Sequence, residues 1–199
     1  MLNPTSSAWV GFAGVMLCWI AFVAVFAFRK KIPQQKEAKR DGRAIFGIAL
    51  QAVAYFLASL QPPHQPFMPP VAALAGTAGI AYAVFIVSLA AGSVWMTGAA
   101  VRRLGKQWAY QARVVEGHEL IQDGPYAYVR NPIYTAMLGM LVATGLAMEH
   151  WIMVLIALPI FMIGLVIRVR IEEKLLRAAF GAQFEDYAKR VPAVIPGIY

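Results

Sequence analysis

Residues 131–167 read NPIYTAMLGMLVATGLAMEHWIMVLIALPIFMIGLVI and decide the fold. Two charge-free apolar runs, 133–148 and 151–167, are separated only by Glu149 and His150. A helix rises about 1.5 Å per residue, so each run can cross most of a hydrocarbon core about 30 Å thick. The short connection predicts a tight hairpin of two transmembrane helices. The proline inside the second run is tolerated in a membrane helix with a kink.

Three further apolar runs precede the hairpin. Run 8–28 has no basic residue before it and a basic loop after it, which favours a transmembrane helix over a cleaved signal peptide. Run 44–60 ends in the proline-rich segment QPPHQPFMPP, residues 61–70, which predicts an exposed turn. Run 71–101 is too long for one crossing and too short for two. It therefore predicts a single helix whose C-terminal end projects beyond the membrane.

The basic residues give the orientation. All 18 Lys and Arg lie in three segments, with seven in 29–43, five in 102–130 and six in 168–199. With five spans, these segments fall on one face of the membrane and the uncharged or acidic connections fall on the other. The positive-inside rule then predicts an outer N-terminus and a cytoplasmic C-terminus. The expected fold is an all-α integral membrane protein with five transmembrane helices, and its net charge of +8 reflects topology and anionic lipid. Nucleic acid is not an expected partner.

Several site types are missing from the sequence. Cys18 is the only cysteine, and His64, His118 and His150 are scattered, so no metal site is expected. There is no glycine-rich dinucleotide fingerprint after a strand, no phosphate-binding P-loop, no nucleophile elbow and no H-E-x-x-H zinc motif. The chemistry must therefore come from other residues.

One candidate site precedes the hairpin, in the stretch GPYAYVRNPIY, residues 124–134. It opens with a Gly-Pro turn signal, and Asn131 and Pro132 suit the N-cap and first position of a helix. The free N–H groups of that helix end, with Arg130 beside them, favour binding of an anion. A capped helix with an arginine and tyrosines at the lipid headgroups is the alternative interpretation.

A second candidate follows the hairpin, in residues 168–199. Arg168 and Glu172 are four residues apart, as are Glu173 and Arg177, so each pair shares a helix face. A solvated helix end with weak ion pairs is one interpretation. The two adjacent carboxylates point about 100° apart on a helix, so one of them can face a buried site.

The two candidates together resemble a known family. HELIQDGPYAYVRNPIY (118–134), a membrane hairpin and RIEEKLLRAAFGAQFEDYAKRVPAVIP (170–196) resemble the isoprenylcysteine carboxyl methyltransferases, and phospholipid N-methyltransferases share much of this pattern. The resemblance covers about 102–199, which we expect to form a methyltransferase core of linker, hairpin and tail. Residues 1–101 would supply the first three transmembrane helices.

The resemblance implies a membrane enzyme that binds S-adenosylmethionine in a cytoplasmic pocket and releases S-adenosylhomocysteine. The site residues it implies for the cofactor are His118, Leu120, Gly124, Pro125, Tyr126, Arg130, Asn131, Pro132, Tyr134, Glu172 and Glu173. Arg170, Glu172 and Glu173 are the implied catalytic residues. Asn131 stands where the family has a histidine, and an amide cannot shuttle protons near neutral pH.

The expected reaction is carboxyl O-methylation of an isoprenylcysteine-like, lipid-linked acceptor, and methylation of a phospholipid amine is the alternative. A lipid-linked carboxylate such as a prenylcysteine needs no base, only an arginine, Arg170 or Arg168, to place it. An amine such as a phosphatidylethanolamine headgroup must lose a proton, for which Glu172 or Glu173 is available. A noncatalytic membrane protein that binds lipid is the third hypothesis. The expected partners are a membrane lipid or lipid-linked carboxylate, and the sequence gives no oligomeric state.

Overall fold

Helices form most of the protein. The computed structural model describes residues 6–28, 37–40, 42–60, 77–105, 113–115, 119–148 and 151–195. Within these ranges the α-helices are, in chain order, α1 Ser6–Ala27, α2 Ala44–Ala58, α3 Thr77–Leu104, α4 Pro132–Ala147, α5 Trp151–Phe180 and α6 Ala182–Arg190. A 3₁₀ turn covers Gly124–Ala127, and two short strands are β1 Glu37–Arg40 and β2 Arg113–Val115.

Each apolar run of the sequence corresponds to one helix. The third run forms the single helix α3, as predicted, from residue 77 onward. The helix formed by the last run extends beyond the apolar residues. Helix α5 continues through Pro159 and through the acidic pair, Glu172 and Glu173, as one helix of 30 residues. The expected domain boundary at 101/102 lies inside α3, shortly before its end. Segments 61–70 and 149–150 lie outside the described residues.

The protein is an integral membrane protein. Three helices are long and apolar enough to cross a membrane by length and composition, over Trp9–Ala27, Thr77–Leu104 and Ile152–Phe180. The outward side of α1 is apolar, with Leu17 and Ile20 exposed by 66% and 69%. Such a surface is stable against hydrocarbon. The apolar helices α2 and α4 are shorter, at 15 and 16 residues, so the count of five spans stays a prediction.

Helix α4 lies at the centre of the packing. On one side it packs with α1 and α3 through a cluster of buried apolar residues, which comprises Val15, Phe22, Ile86, Ala90, Met140 and Ala143. On the other side it packs with α2, α5 and the C-terminal tail through a second cluster, which includes Ala54, Tyr134, Leu141, Phe161, Leu165, Val169 and Val194. Helix α4 therefore packs against elements from both halves of the chain.

Two glycines bring α2 and α5 into backbone contact. A Cβ atom added to Gly47 would lie 2.6 Å from the carbonyl oxygen of Gly164, and one added to Gly164 would lie 2.7 Å from the carbonyl oxygen of Gly47. Membrane helices lack a hydrophobic drive to associate, so small residues at such crossings provide close packing. The contact fixes α2 against α5 one turn before Arg168.

A short ribbon joins two of the basic segments. Strands β1 and β2 pair antiparallel, with Glu37 opposite Val115 and Arg40 opposite Arg113, and an irregularity follows Glu37. Among the described residues the protein is helical, as predicted, apart from this ribbon, which the sequence does not predict. It forms because two extended connections meet and their backbone groups can hydrogen-bond to each other. Sequence periodicity cannot detect a pairing of three or four residues in a basic loop.

We predict that Gly164→Ala lowers the free energy of unfolding by about 1–3 kcal/mol, because the new methyl group overpacks a backbone contact. Gly92→Ala is the matched control, since Gly92 lies in α3 and a Cβ there meets nothing within 4 Å. The control should keep its stability or gain from better helix propensity. Thermal unfolding of the two purified variants in the same detergent compares them, and equal midpoints would contradict the packing account.

Candidate functional site

Arg130 connects the residues before α4 with α5 and the C-terminus. Its Nε and Nη2 donate to Oε1 of Glu173 at 2.9 and 2.7 Å. Its Nη1 donates to the carbonyl oxygens of Ala188, at 2.9 Å, and Val191. The arginine and glutamate side chains are only 12% and 10% exposed, so the ion pair is largely desolvated.

The C-terminal tail, residues 191–195, is bound to the start of α4 by its carbonyl groups. Backbone N–H groups of Arg130 and Asn131 donate to successive tail carbonyls at 2.9 and 3.0 Å. The side-chain amide of Asn131 donates to the second of these at 3.0 Å, and Thr135 Oγ1 donates to the next at 2.7 Å. Pro132 is the first helical residue, as predicted, but the Asn131 side chain binds the tail and makes no cap hydrogen bond.

A second set of contacts, which we call the polar track, runs through Gln51, Arg168, Tyr134 and Glu172. The Arg168 Nη1 donates to Gln51 Oε1 at 3.0 Å, and its guanidinium carbon lies 4.6 Å from the centre of the Tyr134 ring. The Tyr134 hydroxyl donates to Glu172 Oε1. The track therefore joins α2, α4 and α5 at the level where α5 leaves its apolar part.

The two adjacent carboxylates have different surroundings. Glu173 is buried and is bound by Arg130 on one side and by Arg177, at 3.2 Å, on the other. Glu172 is half-buried and accepts a hydrogen bond from the Tyr134 hydroxyl. The 100° step between neighbours on a helix separates them in this way. Glu173 thus holds parts of the chain together, while Glu172 is the carboxylate beside an aromatic ring.

The 3₁₀ turn places a tyrosine within electrostatic reach of this carboxylate. Tyr126 is buried, and its carbonyl accepts a hydrogen bond from the Tyr187 hydroxyl at 2.6 Å. Burial raises the pKa of Tyr126 above its ordinary value, and the Glu172 carboxylate and Tyr187 raise it further. Tyr126 therefore stays neutral at physiological pH. Gly124 has φ +59°, a left-handed conformation that favours glycine and lets the turn pack against the end of α3.

The structure brings most of the predicted site residues together and separates one. Contacts link Arg130, Asn131, Tyr134, Glu172 and Glu173, and the turn that carries Tyr126 adjoins them. Leu120, Gly124 and Pro125 lie on the linker, and Pro132 is buried at the start of α4. Arg170 is exposed and lies two residues, about 200°, from Arg168 and from Glu172 on the helix. His118 lies outside the described residues.

Comparison with known proteins decides the family. The sequence matches the family model described as phospholipid methyltransferase over residues 81–183, from α3 to the start of α6. This match covers slightly more than half of the 199 residues.

The chain belongs to the phospholipid methyltransferase family.

The chain is similar to curated proteins over part of its length. It is 31% identical over 55% of its length to the nickel-cobalt-cadmium resistance protein NccN of Alcaligenes xylosoxydans xylosoxydans. It is 33% identical over 40% to a protein-S-isoprenylcysteine O-methyltransferase of Schizosaccharomyces pombe, and 31% identical over 41% to protein-S-isoprenylcysteine O-methyltransferase B of Arabidopsis thaliana. The matches span 52%, 34% and 41% of those proteins, about half their length or less.

The match to the phospholipid methyltransferase family omits two parts of the site. Gln51 precedes the matched region and the tail carbonyls follow it. Gln51 is the one amide side chain in the apolar run 44–60, and a polar residue inside a membrane segment is a functional signal that the sequence already contains. The tail contacts give no such signal, because they use backbone carbonyls. Within the described residues no group of three or more metal-ligating side chains is found.

We predict that Glu173→Gln lowers the free energy of unfolding by about 3 kcal/mol, because it leaves the Arg130 guanidinium buried without its counter-charge. Asp186→Asn is the control. It breaks the ion pair between Lys189 and Asp186, whose side chains are 74% and 68% exposed. This change should lower the free energy of unfolding by less than about 1 kcal/mol. Thermal unfolding in detergent measures both, and a Glu173→Gln variant as stable as the control would show that the buried pair is not structural.

Proposed function

We propose that this protein is an S-adenosylmethionine-dependent methyltransferase that forms the methyl ester of a lipid-linked carboxylate of the isoprenylcysteine type. The observation that carries the proposal is the contact between the linker before α4 and the acidic pair of α5, through Arg130–Glu173 at 2.7 Å and Tyr134–Glu172. The family match and the names of two relatives support the reaction and the acceptor class.

The residues around Glu172 fit the cationic part of S-adenosylmethionine. A carboxylate beside the ring of Tyr134, within electrostatic reach of Tyr126, suits a sulfonium and an ammonium group. The residues that we propose to hold the cofactor are Leu120, Gly124, Pro125, Tyr126, Asn131, Pro132, Tyr134 and Glu172, with His118 proposed from the sequence alone. We propose that Arg130 and Glu173 act mainly by holding the linker, α5 and the tail in register, since each already binds the other.

The cationic group proposed for the acceptor is Arg168. S-adenosylmethionine supplies an electrophilic methyl group, and its transfer to a carboxylate forms an O–CH₃ bond, returns the S–C electron pair to sulfur and needs no base. The chain then has to orient the carboxylate and exclude water. Arg168 shares its helix face with Glu172, whereas Arg170 lies on another side of α5.

Amine methylation is the second candidate, and it is favoured because the matching family model is described as phospholipid methyltransferase. In that reaction Glu172 would take the proton that the amine loses. Arg168 is the group proposed to meet the acceptor, and its positive charge favours a carboxylate over an ammonium group at that position. The carboxylate acceptor is therefore the better match to these charges.

We propose five spans with an outer N-terminus and a cytoplasmic site. Two contacts support a common face for the basic segments: the β1–β2 ribbon pairs segment 29–43 with segment 102–130, and Arg130 binds carbonyl groups of Ala188 and Val191 in segment 168–199. With five crossings, three parts of the chain that contact one another lie on the same side. The positive-inside rule assigns that side to the cytoplasm.

We predict that the purified protein binds S-adenosylhomocysteine and that Glu172→Gln weakens this binding about 10- to 100-fold, because a charge-assisted contact is lost. Lys174→Gln is the control, because Lys174 is exposed on the same helix. Isothermal titration calorimetry in detergent measures all three proteins. No binding to the unmutated protein would remove both enzyme hypotheses.

The acceptor is tested with a labelled methyl donor. We expect label to enter N-acetyl-S-farnesylcysteine as a base-labile ester. Phosphatidylethanolamine supplied in parallel should remain unlabelled. Base-stable label in the phospholipid would instead establish the amine reaction.

Topology is tested with single cysteines in a Cys18→Ala background. A cysteine at residue 64 should react with a membrane-impermeant thiol reagent in intact cells, and one at residue 36 should react only after the cells are opened. The reverse pattern would invert the proposed orientation.

A further inference from the structure

Helix α6 holds the linker before α4, although none of the predicted site residues lies in it. The Tyr187 hydroxyl donates to the Tyr126 carbonyl at 2.6 Å. In the opposite direction, Arg130 Nη1 donates to the Ala188 carbonyl at 2.9 Å. Both contacts come from one turn of α6, beyond residues 81–183, which match the family model. This helix therefore bears on the site through residues that neither the sequence motifs nor the family match assigns to it.

The carbonyl group of Tyr126 receives from Tyr187 a hydrogen bond that the turn itself does not provide. In a continued 3₁₀ or α-helix this carbonyl would accept from the N–H of Val129 or of Arg130. The first of these N–H groups donates to the Pro125 carbonyl at 3.2 Å, and the second donates to a carbonyl of the tail at 2.9 Å. Because Tyr126 is buried, a missing donor at its carbonyl would be unfavourable. The Tyr187 hydroxyl thus fixes the backbone of the turn at the residue whose ring belongs to the proposed site.

Tyr187 is itself held in place against α5. Its buried ring packs edge-on against Phe184, with the ring centroids 6.3 Å apart. The Arg177 guanidinium of α5 lies 5.1 Å from the centre of the Phe184 ring, and its Nε donates to Glu185 Oε1 at 2.8 Å. Burial raises the pKa of the Tyr187 hydroxyl above its ordinary value, so the hydroxyl stays protonated and can donate at physiological pH. The position of the turn is therefore set by α5 through α6.

We propose that Tyr187 is a positioning residue that holds the 3₁₀ turn with Tyr126 in place for S-adenosylmethionine, so that α6 forms part of the cofactor site. This inference rests on the proposed function, which assigns Tyr126 to the cofactor. Tyr187 acts through the Tyr126 backbone and not on the reacting atoms. A turn that is already fixed loses less conformational entropy when the cofactor binds, and this preorganisation raises the affinity.

Two matched substitutions separate positioning from a structural role. Tyr187→Phe removes the hydroxyl and keeps the ring. Tyr55→Phe is the control, because Tyr55 also donates a 2.6 Å hydrogen bond to a backbone carbonyl, that of Met137 in α4. Each variant loses one tyrosine hydrogen bond to a carbonyl, so a purely structural role predicts the same consequences for both. Only Tyr187 contacts the turn that is proposed to bind the cofactor.

The decisive measurement is the Kd for S-adenosylhomocysteine, determined by isothermal titration calorimetry in detergent. We expect Tyr187→Phe to raise it about fivefold or more and Tyr55→Phe to leave it within about twofold of the unmutated value. In the enzyme assay, Tyr187→Phe should raise the KM for S-adenosylmethionine and leave the KM for N-acetyl-S-farnesylcysteine unchanged. An unchanged Kd in Tyr187→Phe would overturn the inference. So would an equal loss of affinity in the two variants.

Amide hydrogen exchange in the unmutated protein tests the inference without any substitution and distinguishes it from the proposed function. Mass spectrometry follows residues 119–130 and 183–190 with and without S-adenosylhomocysteine. We expect the ligand to slow exchange in both segments, because α6 is coupled to the site through the turn. Slower exchange in the first segment alone would overturn the inference and leave the proposed function intact. Failure of the unmutated protein to bind S-adenosylhomocysteine would overturn the proposed function and this inference with it.

Discussion

The buried ion pair between Arg130 and Glu173 is the interaction on which the arrangement of the site depends. It joins the residue before α4 to the extension of α5, and the same guanidinium binds two carbonyl groups near the C-terminus. Removing either charge would leave the other desolvated without compensation, which is more costly than losing a surface pair. The linker, α5 and the tail therefore form one unit, and Glu172 acquires a fixed position beside Tyr134.

This constraint explains why the two adjacent glutamates are not equivalent. A helix cannot present neighbouring side chains to the same partner, so one carboxylate is used for assembly and the other faces the aromatic side of the site. The same geometry separates Arg168 from Arg170. The charged end of α5 thus presents different chemistry on different sides, although its sequence resembles an ordinary solvated helix end.

The sequence predicted much of the fold because membrane segments give a strong signal. Five apolar runs correspond to α1 to α5, and the unbroken third run is one helix. The contact between the linker and the acidic pair was implied only by the family resemblance. The β1–β2 ribbon and the tail carbonyls were missed, because they depend on backbone hydrogen bonds, which any residue except proline can donate.

Gln51 shows a different reason why sequence reasoning falls short. Its polarity inside an apolar run was visible, but its partner is on α5, 117 residues away along the chain. Only the close approach of Gly47 and Gly164 brings the two helices near enough for an amide to reach Arg168. A pair of glycines in separate helices has no significance until the helices are known to cross there. The packing of α2 on α5 therefore determines the position of the cationic group, and a substitution of Gly164 would affect the site without touching any charged residue.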